Sequence, residues 1–150
     1  MSHIEDRLRD LGFQLGPAKA PVANYLGCKR VGDVLYVSAR VSELRGALGI
    51  DVTLEEGRLA ARETVLVILA IVKDAVGDLD RIASVDKMIG FVHSGPGFTQ
   101  QPQVIDGASD LLVALWGDRG RHARTATGVA QLPYGSAVQL EMTMSMHPEA

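Results

Sequence analysis

Arg124 opens the segment "RTATGVAQLP", a plain strand pattern headed by a charge. A planar guanidinium can hold a carboxylate through two parallel, charge-assisted hydrogen bonds. Its small neighbours Thr125, Ala126, Thr127, Gly128 and Val129 leave room beside it. The competing reading is structural: Arg124 pairs with an acidic side chain at a subunit boundary. The run "VQLEMTMSM" is the most regular in the chain, with Val138, Leu140, Met142, Met144 and Met146 on one face and Gln139, Glu141, Thr143 and Ser145 on the other. That polar face beside a strand-initial arginine is either a site or solvated surface.

Other chemistry is sparse. His93, His122 and His147 have no spacing that would set two on one helix face, and Cys28 is the only cysteine, so no metal centre and no cofactor are expected. "SGPGF" lacks the Lys-Ser/Thr of a phosphate loop and reads as a turn. Trp116 and Phe98 read as packing residues.

Elements to position these groups follow from the periodicity. Ser2 with Glu5 suggests a capped, peripheral N-terminal helix stopped by Gly12. "APVANYLGCKRVGDVLYVSARVS" holds two strand-like pieces about the turn residues Gly32 and Asp33, with Val34, Tyr36 and Ser38 on one face and Leu35, Val37 and Ala39 on the other. Thr53 with Glu56 forms a capping box opening a helix that Gly77 ends, its face of Leu59, Leu66, Leu69 and Val76 expected to be buried. "SVDKMIGFVHS" reads as a strand, "PGFTQQP" as a loop, Asp106 to Trp116 as a helix, and Arg124–Leu132 and Ala137–Met146 as strands. The order predicts one α+β domain over residues 1–150, its first 20 residues peripheral, with two long helices on one face of a mostly antiparallel sheet. A second sheet face bearing Val, Leu or Met from several strands would be too apolar to leave exposed, so closed cyclic association, a homotrimer, is expected.

Composition narrows the function classes. The 150 residues are 47% hydrophobic and 22% charged, with a net charge of −3 and no Lys/Arg cluster, so the field that draws proteins to nucleic acid is missing. The apolar run "TVLVILAIV" is far shorter than a membrane span and is bracketed by Arg62, Glu63, Lys73 and Asp74. The charged N-terminus has no signal-peptide core, and a cytoplasmic location is expected.

The combination of "NYLGCKRVGDVLYVS", "GIDVTLEEGRLAAR", "DLDRI", "GFV", "DGASDLLVALWGDRGRHARTATGVAQLP" and "VQLE" resembles the RidA/YjgF family, also labelled endoribonuclease L-PSP, from about Pro21 to Glu141. "DGASDLL" and "HAR" look like its longer branch of about 150 residues. The resemblance implies a chorismate-mutase-like fold and a homotrimer with clefts between subunits. It also implies hydrolysis of enamines or imines to keto acids and ammonia, or binding of a small carboxylate, imino acid or keto acid without catalysis. It places Arg124 as the carboxylate clamp, Tyr25 and Ser38 beside the ligand, and the backbone of Gly128 and Val129 in the cleft wall. Tyr25 as a packed aromatic and Ser38 as a backbone-bonded strand hydroxyl are the alternatives. The ribonuclease label finds no basic groove here.

Departures from the family pattern bear on mechanism. Gln139 stands where deaminating members carry a glutamate; an amide can hold a water but cannot exchange a proton near neutral pH as a carboxylate does. Glu141 lies two residues on, roughly 7 Å along the same strand face. Ala39 and Arg40 replace a glycine and a glutamine, and Arg40 could tighten binding of a diacid or close the site with a salt bridge.

Overall fold

A computed structural model describes residues 2–149. The elements are α1 (His3–Asp10), β1 (Cys28–Val31), β2 (Val34–Val41), α2 (Leu54–Val76), β3 (Ile82–His93), α3 (Gln101–Trp116), β4 (Ala123–Val129) and β5 (Val138–Met146). Five strands form one mixed sheet in the order β1-β2-β5-β3-β4, antiparallel except for the parallel pair β3 and β4. This is an α+β fold with three helices, two of them long.

Helix α2 starts where its capping box predicts: the Thr53 hydroxyl accepts from the Glu56 N–H and the Glu56 carboxylate accepts from the Thr53 N–H. Gly77, at φ 87°, ends it. Of the expected stripe, Leu69 and Val76 are buried and Leu66 packs against the core, and only Leu59 departs from it. Ala60, Ala61, Val65, Ile68, Leu69 and Val72 turn inward, whereas Leu59 stays 40% exposed, because α2 packs against both the sheet and α3. Helix α3 begins at Gln101, five residues before the expected start at Asp106. Pro102 is no obstacle, since a first-turn N–H has no helical acceptor to lose. Gly107 lets α2 and α3 touch backbone to backbone: a Cβ there would lie 2.1 Å from the Arg58 carbonyl oxygen.

Helix α1 is docked and not peripheral. Ile4 and Leu8 are buried in the core, and the Asp80 carboxylate accepts hydrogen bonds from the N–H groups of His3 and Ile4 and from the Ser2 hydroxyl.

Alternation along β5 is as read: Val138, Leu140, Met142, Met144 and Met146 are buried with Leu35, Val37, Met88 and the inner residues of α2 and α3. That finding corrects the expected basis for assembly. The Val/Leu/Met face is the one the helices cover, and the open face carries Tyr36, Lys87, Ile89, Phe91, Gln139, Glu141, Thr143 and Ser145, a mixed surface. In β2 the register shifts between Val37 and Arg40, so the two-residue period breaks at Ser38 and Ala39. Among the described residues no helix is long and apolar enough to cross a membrane.

Candidate functional site

The register of β4 decides what Arg124 can do. Arg124 lies opposite buried Met88, so its side chain projects on the helix-covered side of the sheet, at the β4 edge. There it meets α3: Nη1 donates to Asp106 Oδ1 at 2.8 Å and to Ser109 Oγ at 3.2 Å, and Nη2 reaches the Pro102 carbonyl at 3.4 Å. The arginine therefore pairs with an acidic side chain of its own chain, and Nε is the one guanidinium nitrogen left without a partner among the described residues.

Ser109 extends this contact into a relay. His122 Nδ1 is 2.7 Å from the Gly120 carbonyl oxygen, which can only accept, so Nδ1 carries the proton. Nε2 lies 2.9 Å from Ser109 Oγ, and in the neutral ring it accepts from the serine hydroxyl. Asp106, Ser109 and His122 thus fix one rotamer of Arg124. The sequence reading gave them no role, although the spacing holds a signal: Asp106 and Ser109 are i, i+3 on one helix, and His122 and Arg124 alternate onto one side of a strand.

A second constellation lies across the sheet. A cleft of about 490 Å³ is lined by the middle of α2, the bulged half of β2 and the turn before β5. Tyr25, Arg40 and Gln139 all line it. Arg40 Nη2 donates to the carbonyls of Lys19 at 2.6 Å and Ala20 at 3.0 Å, anchoring the N-terminal segment over the strand. Two carboxylates border the space. Glu43 accepts from Lys19 Nζ at 2.7 Å, and that hydrogen bond, with the lysine's charge, holds its carboxyl below the ordinary range. Glu63 forms no ion pair among the described residues, and the sequence had marked it only as a flank of an apolar run.

The remaining expected residues fall elsewhere. Ser38 is spent on backbone, its hydroxyl donating to the Leu26 carbonyl at 2.6 Å, and it lies outside the cleft lining. Glu141 sits on the open face opposite Ile89, also outside the lining. Gly128 leaves room for Gln101, whose amide bonds Ser94 Oγ at 3.2 Å and would lie 2.8 Å from a Cβ at position 128. The Val129 carbonyl accepts from the Ser94 N–H at 3.1 Å. Within one chain, Arg124 and the cleft are separated: β4 is three strands from β2, roughly 14 Å at ordinary strand spacing. Arg124 also projects from the opposite sheet face to Gln139 and Glu141.

A mixed sheet with two long helices on one face and ligand-type residues at both edges describes a class of small α+β proteins. Residues 5–143 match the model of the family described as "YjgF/chorismate_mutase-like, putative endoribonuclease", and the chain belongs to that family. Protein TCP17 of Trypanosoma cruzi is 41% identical over 151 residues, covering 96% of this chain and 94% of that protein. The crystal structure of Atu1372 from Agrobacterium tumefaciens is 39% identical with a TM-score of 0.90, covering 97% of this chain and 93% of that one. RidA from an Antarctic Psychrobacter is 22% identical with a TM-score of 0.58 over 89% of this chain and 97% of its own, which shows the shared fold alone.

Proposed function

We propose that the protein binds a small imino or keto acid in a cleft completed by a neighbouring copy of the chain, and hydrolyses the imine to a keto acid and ammonia. One observation carries the reading: the cleft gathers Tyr25, Arg40 and Gln139, while Arg124 is held at the opposite edge of the sheet with its Nε unpaired among the described residues. A closed cyclic trimer would set the β4 edge of one subunit, which has no strand on its outer side among the described residues, against the cleft of the next.

In that cleft Arg124 holds the substrate carboxylate. Gln139 orients a water, which adds to the C=N carbon; the nitrogen takes up a proton, the C–N bond breaks, and ammonia leaves as the carbonyl forms. The proton must be exchanged by a carboxylate. Glu63 is the free one bordering the space, whereas Glu141 would need a substrate placed on the open face. The amide at position 139 favours one second reading, a metabolite-binding module with no catalysis.

Generating an imine with a coupled dehydratase and following ammonia release separates the two readings. Turnover above the spontaneous rate, raised roughly 10²-fold by Gln139→Glu, is expected for the enzyme. Binding of 2-ketobutyrate with no acceleration in wild type would overturn catalysis and leave the binding module.

A further inference from the structure

The cleft is larger and more apolar than a four-carbon acid needs. Its volume of about 490 Å³ is in the range of sites that enclose drug-sized ligands, and Val22, Val41, Val67 and Pro133 supply apolar wall. Polar side chains line the same space, among them Tyr25, Arg40, Glu63 and Gln139. Arg40 spends Nη2 on two backbone carbonyls, and its Nε and Nη1 have no partner among the described residues.

Tyr134 stands on the rim with Tyr25. It is the one described non-glycine residue in the left-handed region, at φ 61° and ψ 13°, beside Gly135 at φ 69°. An L-residue pays for that conformation where glycine would not, and such strain clusters at ligand sites. Burial in its own chain does not compensate, because Tyr134 is 65% exposed. What tyrosine adds over glycine at this position is a ring at the cleft mouth.

We propose that the cleft selects 2-oxo or 2-imino acids bearing an aromatic or branched apolar side chain, with the Tyr134 ring as the specificity-determining wall. The proposal rests on the reading of the cleft as a carboxylate site. Apolar walls take the side chain, and guanidinium groups take the polar end.

Calorimetry of wild type, Tyr134→Gly and Tyr134→Phe with phenylpyruvate and 2-ketobutyrate tests it. Wild type is expected to bind phenylpyruvate about tenfold or more tightly than 2-ketobutyrate. That ratio should collapse in Tyr134→Gly, whose Tm is unchanged or higher because glycine relieves the strained backbone, and persist in Tyr134→Phe, which keeps the ring. Equal affinities in wild type, or an intact ratio in Tyr134→Gly, would overturn the selectivity while leaving the carboxylate site standing. Failure of both acids to bind wild type would overturn the site, and the proposal with it.

Discussion

Arg124→Ala separates the two roles open to this arginine. Its side chain is 23% exposed and its Asp106 partner 41% exposed, so on truncation Asp106 returns to water at modest cost. Half-exposed ion pairs contribute up to about 1 kcal/mol, and for a chain of this length that is a fall in Tm of roughly 2–4 °C. Losing a charge-assisted pair to a ligand carboxylate in a partly desolvated cleft costs more, about 2–3 kcal/mol, or roughly 30- to 150-fold in Kd. The assay is calorimetric titration with 2-ketobutyrate beside thermal unfolding of the same preparations. A large loss of affinity with a small change in Tm is expected. Unchanged affinity would refute the clamp and leave Arg124 as the partner of Asp106 alone.

Further predictions concern the frame around the site. Gly107→Ala should cost about 3 kcal/mol, read as a lower denaturation midpoint, because the added methyl meets the Arg58 carbonyl of the facing helix at 2.1 Å; an unchanged midpoint would contradict that close approach. Burial, with the nearby Asp74 charge adding to it, pushes the Cys28 thiol up to about 11, so alkylation by iodoacetamide should be slow at neutral pH and accelerate toward pH 11; rapid labelling at pH 7 would show the thiol is not buried as described. Partial burial opposes the charge of Asp80, but the N–H groups of His3 and Ile4 outweigh it and lower its pKa. A depressed carboxylate stabilises the fold above its unfolded pKa of about 4 and ceases to do so as pH falls through the folded value, so Asp80→Asn should cost about 1 kcal/mol at pH 7 and progressively less in acid. A pH-independent difference between the two proteins in urea would contradict this.

The sequence revealed the frame more fully than the site. Capping at Thr53, the Gly77 stop and the alternation from Val138 to Met146 are local signals, and each element lies where those signals put it. The exposure of Leu59 and the early start of α3 have a common reason, because both depend on how α2 meets α3, a tertiary contact with no local signature. Position along the chain could align Arg124 with a clamp, yet it could not show that the side chain is shared with Asp106 and Ser109 or that it faces away from Gln139. The β2 bulge at Ser38 and Ala39 hid the cleft, since strict alternation gives no reason for Arg40 and Gln139 to border one space.

The central claim, that one site is built from two copies of the chain, is open to complementation. Chains carrying Arg124→Ala keep an intact cleft, and chains carrying Arg40→Glu keep an intact clamp while repelling a carboxylate from their own cleft. Neither variant alone should bind 2-ketobutyrate. Refolded together in equal amounts as random trimers, they should recover about one quarter of the wild-type sites, because a native site forms wherever an Arg124→Ala cleft faces an Arg40→Glu neighbour. No recovery on mixing, with trimers formed and both variants folded, would mean that cleft and clamp belong to the same chain and would contradict the account.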